Sequence, residues 1–247
     1  MTTAALQLDQ LSKHFGERKA VDNLNLSIPS GCFYALLGHN GAGKTTTLRM
    51  IAGLTRPDYG HVRILGRDIV MEPEAAKRPL AFLPDEPQLY GKLRPLEYLE
   101  YVAGLWGIAA DVAESRAREL LEWTDLWDHR SEYSEGFSRG MQQKLALCGA
   151  LIHEPRLLLL DEPLTGLDVG AARQVKDLLQ KKVSEGCTVV LTTHILEVAE
   201  KLAEVIGVIA NGKLIAEGSL AALRERVGRG DASLEDIFLH LHDEASS

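Results

Sequence analysis

The 247 residues are 45% hydrophobic and 25% charged, a balance that suits a soluble, well-packed chain and excludes disordered and collagen-like ones. A formal net charge of −8 supplies no basic face, so no nucleic-acid partner is expected. Cys32, Cys148 and Cys187 are far apart and form no CxxC pair, so they read as free thiols acting as small buried hydrophobes.

The start MTTAALQLDQL has no basic stretch followed by an apolar run, so no secretory signal is expected. No apolar run approaches the roughly 18 residues that span a bilayer. If the chain serves a membrane process, another chain must supply the membrane-spanning part.

Leu6–Leu8, Leu24–Ile28 and Phe33–Leu37 read as short strands between turn residues. The third leads through a Gly-rich turn into a helix expected from Lys44 to about Leu54. Strands are expected near His61–Leu65 and at Leu80–Leu83, and helices from Pro87 to about Trp127. There Leu96, Leu99, Val102, Ala103 and Trp106 would line one face, Asp111–Glu122 the wet face, and Trp106, Trp123 and Trp127 serve as packing. Strand character returns at Leu157–Leu160 and Cys187–Thr192, each followed by a helical pattern, which argues for a parallel sheet covered by helices. Asn211-Gly212 between Val205–Ile209 and Lys213–Ala216 marks a hairpin. The division expected is an α/β core at 1–85 and 151–218, a helical insert at 86–150 and a helical tail at 219–247.

Gly38-His39-Asn40-Gly41-Ala42-Gly43-Lys44-Thr45 fits the phosphate-loop pattern at every required place. Its glycines let backbone N–H groups turn inward on phosphate oxygens, and the following helix adds its positive end, with Thr46 beside it. Lys44 would reach the β- and γ-phosphates and the Thr45 hydroxyl would hold Mg²⁺. On its own the loop leaves kinases, GTPases, motors and transporters open.

Leu157-Leu158-Leu159-Leu160 ends in Asp161-Glu162, two carboxylates at the end of an apolar strand, where open α/β sheets bind ligands. Asp161 is suited to Mg²⁺, and Glu162 to deprotonating the attacking water as catalytic base.

Between these motifs, Phe137-Ser138-Arg139-Gly140-Met141-Gln142-Gln143 resembles the LSGGQ signature of the ATP-binding-cassette family, with Arg139 in place of its first glycine and Met141 in place of its glutamine. The segment opens a helix over Met141–Leu151. Gly166-Leu167-Asp168 is similar to the family's loop between ATP sites, His194 to its catalytic switch histidine, and Phe15 to its adenine-stacking aromatic. The resemblance runs over about residues 5 to 240. It implies a phosphate-loop NTPase core with a mainly parallel sheet, N-terminal antiparallel strands and a helical insert. It also implies an ATP hydrolase using ATP and Mg²⁺. Two subunits, identical or different, would pair head to tail, with Ser138, Arg139, Gly140 and Met141 facing the partner's ATP. A polytopic membrane permease would hold the pair at the cytoplasmic face of the membrane.

One departure concerns Phe82-Leu83-Pro84-Asp85-Glu86-Pro87, where Asp85 replaces a usual glutamine. This stretch and Ser233-Leu234-Glu235-Asp236-Ile237-Phe238 look like a subgroup of bacterial exporter ATPases. Asp85 would be a Mg²⁺-side ligand or face the membrane partner near Pro84–Leu93. The second is favoured, since Asp161 and Thr45 already provide for the metal. The competing reading is a soluble cassette ATPase that remodels a protein assembly such as iron–sulfur cluster machinery. His240 and His242 read as part of a solvated tail.

Overall fold

The computed structural model describes residues 4–228 and 230–246. Strands β1 (Ala4–Phe15) and β2 (Arg18–Pro29) form a long antiparallel pair. Next come β3 (Phe33–Leu37), α1 (Lys44–Ile51), β4 (Tyr59–Ile64), β5 (Arg67–Asp68), α2 (Pro73–Lys77) and β6 (Leu80–Leu83). Three helices follow: α3 (Pro95–Leu105), α4 (Ala110–Trp123) and α5 (Arg139–Leu151). The chain then alternates β7 (Leu157–Asp161), α6 (Val169–Ser184), β8 (Thr188–Thr193), α7 (Leu196–Leu202) and β9 (Val205–Ala210). It closes with β10 (Lys213–Gly218), α8 (Leu220–Arg226) and α9 (Leu234–Ser246).

Two sheets result, one antiparallel in the order β2-β1-β4-β5 and one six-stranded in the order β10-β9-β3-β8-β7-β6. The second is parallel from β6 through β9, and β10 joins it by the antiparallel hairpin. Asn211 and Gly212 both take positive φ, 50° and 77°, as the mirror-image hairpin turn demands. Every residue of β3, β7 and β8 is buried, the mark of strands covered on both faces. One core lies between the parallel sheet and the helices α3 to α6. A second fills the space between the two sheets around α1, and a third seats α8 and α9 on β3 and β9.

Several boundaries differ from the sequence reading, each for a local reason. β1 and β2 run far beyond Leu6–Leu8 and Leu24–Ile28. Register shifts and positive φ at Gln10 (48°) and Asn23 (53°) interrupt the alternation that would reveal them. Helix α1 stops at Ile51 because Gly53, at φ 65°, turns the chain so that the Leu54 N–H donates to the Arg49 carbonyl at 2.9 Å. Residues 87–94 are not helical; α3 starts at Pro95, with the Arg94 N–H donating to the Glu97 carboxylate at 2.9 Å. The signature helix begins at Arg139, ahead of Met141, because Ser138 caps it and accepts from the Met141 N–H at 3.3 Å.

Leu99 and Ala103 are buried as expected, with Leu96 and Val102 packed against the same core. Trp106, expected on the same face, does not join this core: it is 39% exposed and stacks on His153 at 3.9 Å. All three cysteines are free and buried, and burial pushes the thiols of Cys32 and Cys187 up to about 11 and that of Cys148 to about 12. Among the described residues no helix is long and apolar enough to cross a membrane.

Candidate active site

The parallel strands end along one edge, and the loops leaving β3, β7 and β8 meet there. Gly43 caps α1 at φ 111°, and a Cβ on it would lie 2.4 Å from the Ala20 carbonyl oxygen, so only glycine fits. No side chain caps α1, which leaves its first N–H groups and positive dipole end for an anion. Lys44 is 6% exposed, and its ammonium donates to the carbonyls of Gly38 at 2.6 Å and His39 at 3.3 Å. Burial holds that ammonium below its usual range, while Glu162 and Asp161 pull it upward. The His39 imidazole turns away from the loop and packs on Phe238 and His242 of α9, so His39 offers phosphate its backbone alone.

Asp161 ends β7 directly opposite Thr192 of β8, and the Thr192 hydroxyl donates to its Oδ1 at 2.5 Å. Glu162 turns out of the strand at φ 48°, a left-handed conformation costly for a residue with a side chain. Its N–H donates to the Thr192 carbonyl at 3.1 Å. Glu162 Oε2 lies 3.0 Å from His194 Nδ1 and accepts from the His194 N–H at 3.3 Å. That carboxylate fixes the tautomer: His194 carries its proton on Nδ1 and leaves Nε2 for a further group. Glu162 Oε1 is buried without a hydrogen-bond partner and stands 3.9 Å from Lys44 Nζ. A strained, oriented carboxylate with one uncommitted oxygen beside a lysine ammonium can take up water.

Gly43, Lys44, Asp161 and Glu162 border a cleft of about 440 Å³ whose wall also includes Thr45, Thr46, Phe15 and Asp85, whereas Gly38, His39 and His194 line a neighbouring cavity. Phe15 is 55% exposed, an open ring face at the cleft mouth with the Lys13 ammonium 5.6 Å from its centroid. Asp85 also lines the cleft, where burial first, and then the charges of Asp161 and Glu162, push its carboxyl above the usual range. Sequence reasoning missed Arg18, which lines the cleft and donates to the Gly41 carbonyl at 2.9 Å, and Thr192. Arg18 carries no motif signal. The two threonines ending β8 were visible as a break from its apolar run.

The donor set tests what the cleft could hold. Thr45 and Asp161 offer hard oxygens, and no three His, Cys, Asp or Glu among the described residues could form a metal cage. Such a pair suits Mg²⁺, which is held by few protein oxygens together with substrate phosphates.

Ser138, Arg139, Gly140 and Met141 are absent from the cleft wall of their own chain. A Cβ on Gly140 would meet only ordinary contacts, the nearest at 3.6 Å to Leu167, so the chain's own packing does not require glycine there. The Arg139 guanidinium lies over Gly166, at whose Cβ position it would approach within 3.1–3.2 Å. Asp168 caps α6, accepting from the Ala171 N–H at 2.9 Å.

A family model described as ABC transporter matches residues 21–165. The daunorubicin/doxorubicin resistance ATP-binding protein DrrA of Streptomyces peucetius is 38% identical over 99% of this chain and 72% of its own length. The ABC-type transporter ATP-binding protein EcsA of Bacillus subtilis is 32% identical over 97% of both chains. A solved ATP-binding subunit of an ABC transporter superposes with a TM-score of 0.90 at 32% identity, covering 96% of this chain and 99% of that one. A cassette solved as a dimer in a post-hydrolysis state, bound to ADP and phosphate, gives 0.79 at 28% identity over 87% and 98%.

Proposed function

The chain belongs to the ABC transporter family as an ATP-binding, ATP-hydrolysing subunit, and from that premise we propose that two head-to-tail subunits hydrolyse MgATP to drive export through a separate membrane chain. The observation that carries the chemistry is Glu162, held by His194 with one oxygen uncommitted 3.9 Å from Lys44. Lys44 leaves its loop carbonyls for the β- and γ-phosphates, whose other oxygens accept from the loop N–H groups and the start of α1. Glu162 orients a water in line with the γ-phosphorus and takes its proton, and His194 Nε2 faces the γ-phosphate. Thr45 and Asp161 would hold Mg²⁺, which when bound neutralises charge on the transferred phosphoryl group. Phe15 stacks on adenine.

The dimer is supported by a second anion-binding helix start, at α5, that its own cleft leaves unused. ATP bridging the loop of one subunit and Ser138 and Gly140 of the other would bind the closed pair better than the open one. That difference in affinity is the only means by which a ligand drives closure. Loss of the γ-phosphate then lets the pair open.

Export is supported by relatives named for resistance and export: DrrA, the linearmycin resistance protein LnrL of Bacillus subtilis and the Nod factor export protein of Paraburkholderia xenovorans. The described residues supply no membrane span, so a polytopic partner would hold the subunit peripherally at the cytoplasmic face, against Pro84–Leu93. Tyr90 there is 58% exposed and packs edge-on against Tyr101. Affinity capture of the chain from detergent-solubilised membranes tests this. A polytopic chain should be recovered with it; recovery of soluble proteins alone would favour the assembly-remodelling reading instead.

A further inference from the structure

Helix α9 docks through Leu234, Ile237 and Leu241, all buried in the core that includes Leu37 of β3 and Ile206 and Val208 of β9. Phe238 is buried in the same core, and its ring and that of His242 also meet the phosphate loop. The Phe238 centroid lies 4.8 Å from that of His39, and the His242 ring meets His39 edge-on at 4.4 Å. These are favourable separations for aromatic rings.

The backbone of His39 carries two further bonds. Its carbonyl accepts from the Ala42 N–H at 3.0 Å, closing the loop's tight turn, and from the Lys44 ammonium at 3.3 Å. A shift of the His39 backbone therefore moves a single carbonyl that both shapes the turn and holds the lysine. Between α9 and the start of α7 lies a cavity of about 380 Å³ bordered by Gly38, His39, His194 and Phe238. The helix thus stands beside both histidines in a cavity next to the nucleotide cleft.

We propose that Phe238 and His242 of α9 are positioning residues that set the phosphate-loop conformation through His39, from outside the nucleotide cleft. The inference rests on the ATP-binding reading for its consequence, tighter nucleotide binding, but not for the loop contact itself. A loop held in shape before ATP arrives loses less freedom on binding, so breaking the stack weakens affinity.

The test uses the full chain with His242→Ala and the ring-keeping His242→Phe. In nucleotide-free protein, amide hydrogen exchange over 38–46 should accelerate in His242→Ala while β7 exchanges as in the parent. Affinity for a ribose-labelled fluorescent ATP should fall about two- to tenfold, the loss expected for one ring pair. His242→Phe should restore both. Unchanged loop exchange in His242→Ala, or His242→Phe failing to restore what His242→Ala loses, overturns the inference. A parent that binds no ATP overturns the functional reading, and the nucleotide-free exchange still decides this one.

Discussion

Removing the Thr192 hydroxyl tests how the strand ends build the site. Thr192 is fully buried and Asp161 is 3% exposed, and the bond between them measures 2.5 Å. Thr192→Val keeps the branched shape and the backbone carbonyl that accepts from Glu162, but leaves a buried carboxylate oxygen without its donor. Hydrogen bonds to charged groups contribute about 1.5–3 kcal/mol, and a buried acceptor left bare costs the upper part of that range. For a chain of this size that lowers the melting temperature by about 3–12 °C. Asp161 would also lose the contact that orients its carboxylate. The Mg²⁺ concentration for half-maximal ATPase should then rise about ten- to hundredfold, as when the support of a metal ligand is removed. Urea unfolding followed by circular dichroism reads the first effect, and turnover against free Mg²⁺ reads the second. Thr192→Ser, which keeps the hydroxyl, should recover the Mg²⁺ dependence. A valine variant within about 0.5 kcal/mol of the parent and with its Mg²⁺ requirement would refute the reasoning.

Phe15→Ala should raise KM for ATP about two- to twelvefold with kcat nearly unchanged, as expected for a stacking contact equal in ground and transition states; an equal loss in kcat would place Phe15 elsewhere. Asp85→Asn should leave ATPase of the isolated subunit within about threefold, because Thr45 and Asp161 provide for Mg²⁺, while transport by the assembled complex fails. A large ATPase loss in the isolated variant would make Asp85 part of the chemistry. Asp85 also sets a pH trend. Its folded carboxyl is raised, so its stabilising contribution is present below the ordinary carboxylate range near 3.9 and is lost as pH rises through the raised value. The advantage of Asp85→Asn in unfolding stability should therefore grow as pH rises above the ordinary carboxylate range, and a constant difference would contradict the assignment.

The residues legible in the sequence are those whose chemistry is local. Gly38–Thr45 and Asp161-Glu162 each lie on one turn of chain, where residue type and spacing alone dictate backbone shape. Asn211-Gly212 likewise announced its hairpin. What stayed hidden depends on elements distant in sequence. Thr192 meets Asp161 only because β7 and β8 pair in that register. His242 read as a solvated tail because the docking of α9, which buries Leu234 and Ile237 completely, is tertiary; it carries the ring 200 residues along the chain to His39. His240 does keep the exposed position expected of both, paired with Glu244 at 3.3 Å.

The central claim, that Glu162 is the base of an ATP-driven closing pair, is tested most directly by Glu162→Gln. The amide cannot take the proton of water, yet Lys44, the loop and α1 remain, so ATP binding should be retained. Turnover should fall by about a hundredfold or more, since a positioned base contributes roughly 10²–10⁴-fold. With MgATP the variant should run on a sizing column as a dimer that the parent populates only transiently. Turnover near that of the parent, with a monomer on the column, would contradict the account.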